Sequence, residues 1–249
     1  MLGKINLEGL GEKTINKIAE LALSSQVKKA EKLTVKVKTD PNLLAKGMLE
    51  SLSINGQGLV MHKTLRMQEM TIIIKSIAVS PFKALMGNIQ LTQPSQGTAC
   101  IVLNEADIEK AIALETLQKQ IKNYKIYLDG QKVKISIEKV NCRLLADGKV
   151  AIKATFRICE TGQIREVCLT TTPRFCATAR GVVIENVECT NGEELSPLIT
   201  NALIEEAKKI LNLSSFQMEG FSLLINQLNI EEGKLTLQAA AGITQFPSV

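Results

Sequence analysis

Hydrophobic residues recur at two different periods along this chain, and the changes of period mark its predicted elements. Residues 12–30 repeat at the helical period of about 3.6 residues, which predicts an amphipathic helix. Its apolar stripe consists of Ile15, Ile18, Ala19 and Ala22, widened by Leu21 and Leu23. From Leu33 the period becomes two, because Leu33, Val35 and Val37 alternate with polar side chains. This alternation predicts a half-buried strand.

Strand patterns continue to residue 103 and then give way to a second helix. We predict strands over 50–60, 67–79, 85–91 and 98–103, with Gln93-Pro94-Ser95 as the turn between the last two. The strand over 67–79 is apolar on both faces at its centre, which places it between two layers or against something else apolar. Asn104 is a suitable N-cap and Asp107 follows at the third helical position, which predicts a helix over 104–121.

The second half of the chain repeats the alternation of strands and a helix. Asp129-Gly130 is a strong hairpin signal between strands over 124–128 and 132–140. Further strands are predicted over 150–158 and 163–172, and a long or broken strand over 175–190 after Pro173. Ser196-Pro197 begins a third helix, and strands over 221–230 and 235–243 close the chain.

These elements predict an α+β fold with a large, strongly curved antiparallel sheet wrapping amphipathic helices. Consecutive strands joined by tight turns form an antiparallel meander rather than a doubly wound parallel sheet. Ten to twelve strands, roughly counted, are more than an open flat sheet tolerates, so the sheet must curl or split.

We expect an N-terminal amphipathic helix over 1–32 and one α+β domain over 33–249. The segments 147–158 and 232–243 share one pattern, a tight turn followed by a strand with one apolar side. This echo is compatible with two related halves, 33–122 and 123–249. It is equally compatible with the general likeness of any two antiparallel hairpins.

Composition narrows the classes of ligand. The chain has no Trp and only two Tyr, so aliphatic residues and Met supply nearly all its apolar surface. Such a lining suits an apolar ligand, and Met adapts to irregular shapes. We predict a lipid-binding set consisting of Met70, Ile72, Ile74, Phe82, Leu85, Met86, Ile108 and Ile112. For any single one of these residues, an ordinary place in a packed core is the simpler explanation.

The net charge of +5 is concentrated in the first 190 residues, since residues 191–249 carry more acidic than basic side chains. The densest basic run consists of Lys28, Lys29, Lys32, Lys36 and Lys38. These lysines either form a solvated face or contact anionic lipid headgroups, where each is worth about 1 kcal/mol. Nucleic acid is a poorer partner, because single-strand binding relies on aromatic stacking platforms and no DNA-binding motif is present.

The sequence offers no catalytic or metal site. Six cysteines lack C-x-x-C spacing, His62 is the only histidine, and neither a G-x-S-x-G motif nor a P-loop occurs. We therefore expect a protein that is not an enzyme and needs no cofactor or metal. Free cysteines in strands indicate a reducing compartment, and we see neither a signal peptide nor a membrane-spanning stretch. The expected location is the cytoplasm or the surface of a membrane facing it.

One stretch resembles a known family. The run GNIQLTQPSQGTACIVLNEADIEKAI within Leu85–Ile112 and the run KGMLESLSINGQGL over 46–59 are similar to the LmeA-like phospholipid-binding family of bacterial proteins. The shared features are a glycine, an apolar strand, a Pro turn, a strand of small residues and a capped helix that begins with an acidic residue.

The resemblance implies phospholipid binding in an apolar groove, on an elongated sheet wrapped about a helix as in tubular lipid-binding folds. It supplies no catalytic motif. Well-known relatives are exported and carry a signal segment, which this chain does not show. We predict binding, and possible transfer, of a phospholipid or another apolar ligand by a protein peripheral to a membrane. The alternative is a non-enzymatic module that uses the same apolar surface to contact a protein.

Overall fold

The computed structural model describes residues 16–17, 19–60, 65–85, 89–113, 125–128, 131–178, 181–189, 201, 204–205, 208 and 219–246. The described strands are β1 (Lys32–Lys38), β2 (Met48–Val60), β3 (Arg66–Ala78), β4 (Ser95–Asn104), β5 (Lys125–Leu128), β6 (Gln131–Leu144), β7 (Val150–Ile158), β8 (Ile164–Cys176), β9 (Gly181–Cys189), β10 (Phe221–Glu231) and β11 (Lys234–Ile243). The described helices are α1 (16–17 and 19–24), α2 (Pro41–Ala45), α3 (Pro81–Leu85) and α4 (Glu105–Ala113).

The strands form two antiparallel sheets. A six-stranded sheet has the order β1-β2-β3-β4-β11-β10, and a five-stranded sheet has the order β5-β6-β7-β8-β9. The predicted antiparallel pairing is confirmed, since every strand pairing in the described residues is antiparallel, but the meander is interrupted where β4 pairs with β11. The sheet curls into a half-barrel, which agrees with the predicted curvature. The division into two related halves stays a prediction, and the six-stranded sheet takes strands from both.

Residues in register across the six-stranded sheet divide it into two chemically different faces. One row, buried throughout, consists of Val35, Ile54, Ile72, Ala99, Ala239 and Ile225. The adjacent row on the other side consists of Lys36, Ser53, Ile73, Thr98, Ala240 and Leu224. We call the side that carries the first row the inner face and the opposite side the outer face. Successive residues alternate between the two, as strand geometry requires.

The inner faces of both sheets enter one apolar core. In the first sheet, Leu52, Ile72 and Leu237 have no exposed surface, and in the second sheet Ile135 has none. Burying one such side chain contributes about 1.5–3 kcal/mol to folding. Ala19 and Leu23 of α1 belong to the same core, whereas Leu21, predicted to widen that stripe, is 54% exposed.

Helix α4 connects the two sheets through its acidic side chains. Asn104 caps it as predicted, since its Oδ1 accepts from the Asp107 backbone N–H at 2.8 Å. Asp107 is almost fully buried and accepts two hydrogen bonds from Arg66 on β3, at 3.1 and 3.2 Å. On the other side, Glu105 accepts from the backbone N–H of Leu144 on β6 at 2.8 Å. The charges of α4 therefore face both sheets.

The predicted strand over 85–91 is wrong. Pro81 begins α3, which extends to Leu85, because its fixed φ suits the first turn of a helix. Of the described residues 89–91, only Leu91 pairs, with Val79 as an isolated bridge, and 86–88 lie outside the described residues. The predicted break at Pro173 is also wrong, since Pro173 lies inside β8 opposite Ile184. A register shift lies close to it, between Thr170 and Thr172, and such irregularities often accompany proline in strands.

The N-terminal helix also ends earlier than predicted. Helical residues stop at 24 rather than 30, and the Ser25 hydroxyl donates to the Ala22 carbonyl oxygen at 2.7 Å. The backbone N–H groups of Lys28 and Lys29 then donate to Val60 at the end of β2. Competition from this strand contact ends the helix before its basic residues.

Candidate lipid-binding surface

Three of the predicted lipid-binding residues lie side by side on the inner face. Met70, Ile72 and Ile74 occupy alternate positions of β3 and are at most 2% exposed. Each belongs to a row that crosses all six strands. The row of Met70 contains Leu33, Gly56, Ile101, Leu237 and Leu228, and the row of Ile74 contains Val37, Leu52, Gly97, Ala241 and Leu223. Together with the row of Ile72, these three rows contain no polar side chain.

Side-chain size changes across this apolar face. Four small residues, Gly97 and Ala99 on β4 with Ala239 and Ala241 on β11, form a block between larger aliphatic side chains. A Cβ at Gly97 would overlap the carbonyl oxygen of Ile73, so the approach of the two backbones requires glycine there. At these four positions the side chains are smaller than those of β2 and β3 in the same rows.

The remaining residues of the predicted lipid-binding set differ in burial. Ile108 of α4 is 6% exposed and belongs to the core with the inner face. Phe82 of α3 is 72% exposed and lies outside that core. The side chains of Leu85 and Ile112, and all of Met86, lie outside the described part of the structure. The structure thus joins Ile108 to the β3 set and separates Phe82 from it.

All five predicted headgroup lysines are exposed, but they do not share a face with the apolar set. Lys32, Lys36 and Lys38 point to the outer face of β1, while Val35 and Val37 point inward. Lys28 and Lys29 lie in the turn that precedes β1, and Lys38 forms an ion pair of 2.7 Å with Glu50. The lysines of β1 and the apolar set therefore lie on opposite faces of the sheet.

A cleft of about 360 Å³ lies on the outer face beside these lysines. Its lining includes Lys32, Thr34, Lys36, Asn55, Gln57, Glu69 and Thr71. The Thr71 hydroxyl donates to Asn55 Oδ1 at 3.2 Å, so Asn55 and Thr71 form one polar row. The sequence analysis identified the lysines of this cleft but missed the polar residues that line it with them. The alternating polar positions from Ser51 to Gln57 were the available signal.

A second cleft, of about 450 Å³, lies between α4 and the solvent side of β6, β7 and β8. Its charges are paired: Arg143 lies 3.4 Å from Glu105, and Lys153 lies 2.7 Å from Glu166. The hydrogen bond from Lys153 lowers the pKa of Glu166. Each charge of these two pairs stabilises its partner in the ionised form.

Cys168 lines this cleft, whereas the thiol of Cys142 on β6 lies in the core and is chemically quiet. Cys142 on β6 points into the core, and burial, followed by the nearby charges of Glu109 and Glu105, raises its pKa to about 12. A thiol with such a pKa is almost entirely protonated near neutral pH, so it is a poor nucleophile. The hydrogen bonds of Glu31 and Asp107 likewise raise the pKa of Arg66.

Within the described residues, no three His, Cys, Asp or Glu side chains converge as a metal site. No described helix is both long and apolar enough to cross a membrane.

Two comparisons gave nothing: neither the curated proteins nor the solved structures contain a match to this chain. A family model does match, and it covers residues 7–240 of the 249. The match spans the second sheet, α4 and all of the six-stranded sheet except the last residues of β11. The chain belongs to the LmeA-like phospholipid-binding family.

Proposed function

We propose that this protein binds a phospholipid by its acyl chains against the inner face of the six-stranded sheet. Membership of a phospholipid-binding family supports a lipid as the ligand. The observation that carries the position is the set of three apolar rows through Met70, Ile72 and Ile74. Acyl chains need an apolar concave surface without unpaired polar groups.

The helices close the open side of the curled sheet in this proposal, as the amphipathic helices do in tubular lipid-binding folds. Ala19 and Leu23 of α1 and Ile108 of α4 support it, because all three belong to the core that the inner face forms. In this proposal the hydrocarbon chain lies over the small block on β4 and β11, where the side chains of the inner face occupy the least volume. The protein acts without catalysis or a cofactor and works at the surface of a membrane.

The basic outer face of β1 contributes to membrane attraction rather than to the headgroup of the bound lipid. Lys32 and Lys36 form no ion pair with another described residue, so their charge is available to anionic lipids. Each such lysine adds about 1 kcal/mol of attraction, which salt screens. Transfer of lipid between membranes follows if attachment is reversible, and a fluorescent phospholipid moving between two vesicle populations would measure it.

The decisive experiment compares two substitutions on adjacent residues of β11. Ala239 points to the inner face and is 2% exposed, whereas Ala240 points to the outer face and is exposed. We expect Ala239→Leu to lower the lipid that co-purifies with the protein, measured by native mass spectrometry and by extraction. Ala240→Leu is the matched control and keeps the lipid content of the parent protein.

Circular dichroism of both variants must match the parent before lipid content is compared. If Ala239→Leu does not fold, Ala239→Val tests the same position with a smaller side chain. A parent protein that purifies free of lipid and takes up none from vesicles would exclude the proposal. That outcome favours the interaction module, which Ile74→Glu would test through loss of a protein partner.

A further inference from the structure

Phe82 has the largest exposed fraction of any large apolar side chain in the described residues, at 72%. It is the second residue of α3, in the connection between β3 and β4 at one end of the six-stranded sheet. The α2 connection between β1 and β2 lies at the same end, since β1 and β3 both finish there. We call this end the α2–α3 end. A single exposed apolar side chain is common on protein surfaces, so the position of Phe82 gains meaning only from the residues around it.

Backbone hydrogen bonds hold Phe82 in this position. The Val79 N–H donates to the Gly47 carbonyl oxygen at 2.8 Å, which joins the two connections. Across the β3–β4 connection, the Ser80 N–H donates to Gln90 at 2.9 Å. Gly47 packs so closely that an added Cβ would lie 2.7 Å from the Val79 carbonyl oxygen. The aromatic ring therefore projects from a helix whose preceding residues are fixed by backbone hydrogen bonds.

The charges around Phe82 complement an anionic surface. Lys83 is adjacent to it and Lys46 ends α2, and both are exposed. Asp40 is the only acidic residue in residues 39–47 and 79–94. Its carboxylate accepts from the N–H groups of Asn42 and Leu43, at 2.8 and 2.9 Å, so it faces the N-terminus of α2. Lys46 and Lys83 are left as the outward charges of the two connections.

The opposite end of the sheet has a different character. Glu31 precedes β1, and Glu231 and Glu232 form the turn between β10 and β11. These exposed carboxylates disfavour contact with anionic headgroups. The same end also carries four exposed lysines, Lys28, Lys29, Lys32 and Lys234. The sheet thus presents an exposed aromatic with two lysines at the α2–α3 end and a mixture of both charges at the other.

We propose that the α2–α3 end is the membrane-docking end of the protein, with Phe82 inserted at the interface of an anionic bilayer and Lys46 and Lys83 on its headgroups. The proposal deepens and rests on the proposed lipid-binding function. Gly97 lies two residues from the start of β4 at this end, which is about 7 Å along a strand. Docking here brings the small block of the inner face close to the bilayer from which a lipid would enter.

The absence of tryptophan from the chain makes the test direct. Phe82→Trp introduces the only tryptophan at the proposed contact, and Leu224→Trp introduces one on β10 at a 57% exposed position of the outer face. With vesicles of 70% phosphatidylcholine and 30% phosphatidylserine, chosen as roughly physiological charge, we expect a blue shift for Phe82→Trp. Brominated acyl chains quench its emission, and Leu224→Trp shows neither effect.

Flotation with the same vesicles gives the second readout. We expect Phe82→Ser to bind about tenfold more weakly than the parent, and Lys46→Gln/Lys83→Gln to bind about tenfold more weakly at low salt. Leu224→Ser serves as the control and binds as the parent does. Vesicles of phosphatidylcholine alone should show no effect of the lysine substitutions.

The outcomes separate docking from lipid binding. If Phe82→Trp shows no shift or quenching while the parent co-purifies with lipid, the docking proposal fails and the proposed function stands. Loss of vesicle binding in Lys32→Gln/Lys36→Gln, with Phe82→Ser unchanged, would overturn it in favour of the outer face of β1. If Phe82→Trp inserts but the parent binds no lipid, docking stands and the inner-face proposal fails.

Discussion

The carboxylate of Glu109 on α4 accepts a hydrogen bond of 2.7 Å from the backbone N–H of Cys142 on β6. Glu105, one helical turn earlier, accepts from Leu144 at 2.8 Å. Four residues along a helix advance about 6 Å, and two residues along a strand advance about 6.6 Å, so the spacings match. β6 has β7 on one side, and α4 satisfies N–H groups on the other side that a further strand would otherwise pair with.

Removing the Glu109 side chain should leave backbone N–H groups of β6 without an acceptor. We expect Glu109→Ala to lower the free energy of unfolding by about 1–3 kcal/mol, because the Cys142 N–H and the Asn141 amide lose their acceptor. Glu109→Gln keeps an acceptor oxygen and should cost less. Urea denaturation of the two variants measures the difference, and Glu69→Ala, at an exposed position, serves as the control. Equal stabilities of Glu109→Ala and the parent would show that α4 is not held by this contact.

Arg66 is the second point at which α4 is fastened. Its guanidinium bonds both oxygens of Asp107, whose side chain is 3% exposed, and it also contacts the exposed Glu31 at 2.7 Å. Arg66→Met would leave a buried carboxylate without its cation, and we expect a loss of about 3 kcal/mol. Glu31→Gln removes only the exposed partner and should cost less than about 1 kcal/mol. Chemical denaturation at neutral pH compares the two, and similar losses would contradict a burial-dependent role.

Local pattern predicted some elements of this fold well and others badly. Strand β7 was predicted as 150–158 and spans Val150–Ile158, because alternation is a property of neighbouring residues. The same reasoning placed a strand over 85–91, where alternation continues but Pro81 starts a helix instead. It also stopped β8 at Pro173, although a register shift set by pairing with β9 accommodates the proline.

In the candidate site, too, local alternation predicted some features, and only the pairing of strands decided the others. The sequence indicated that Lys36 and Val35 face opposite ways, but not which side of β3 shares the face of Val35. The register Val35↔Ile54↔Ile72 decides it, and that register is a tertiary fact. The contacts of Glu105 and Glu109 with β6 also lay beyond local pattern, because a solvated helix face carries the same acidic residues.

Ionisation of Cys142 should lower the stability of the folded protein at alkaline pH. Burial raises the pKa of its thiol from 9.0 to about 12, so the folded state holds the proton more tightly than the unfolded state. Its contribution is fully present below pH 9.0 and is lost as the pH rises toward 12. We expect the stability of the parent to fall more steeply over this range than that of Cys142→Ala, as measured by urea titrations at successive pH values.

Thiol labelling offers an independent check of the same burial. Cys159 and Cys189 are exposed and should react with a thiol reagent at pH 8, a value at which free thiols are partly ionised. Cys142 should react only when the protein unfolds. Rapid modification of Cys142 in the folded protein, located by mass spectrometry, would show that the β6 edge opens and that α4 does not seal it.

Gly97 allows the backbones of β3 and β4 to approach closely beside the block of small residues on the inner face. A methyl group there would overlap the Ile73 carbonyl oxygen, so Gly97→Ala must separate the two backbones. We expect a loss of about 1–3 kcal/mol in the free energy of unfolding, typical of overpacking, together with lower lipid content. Thr98→Ala, at the neighbouring outer-face position, is the control and should change neither quantity appreciably. If Gly97→Ala matches the parent in stability and lipid content, the strand spacing at Gly97 does not determine the shape of the inner face.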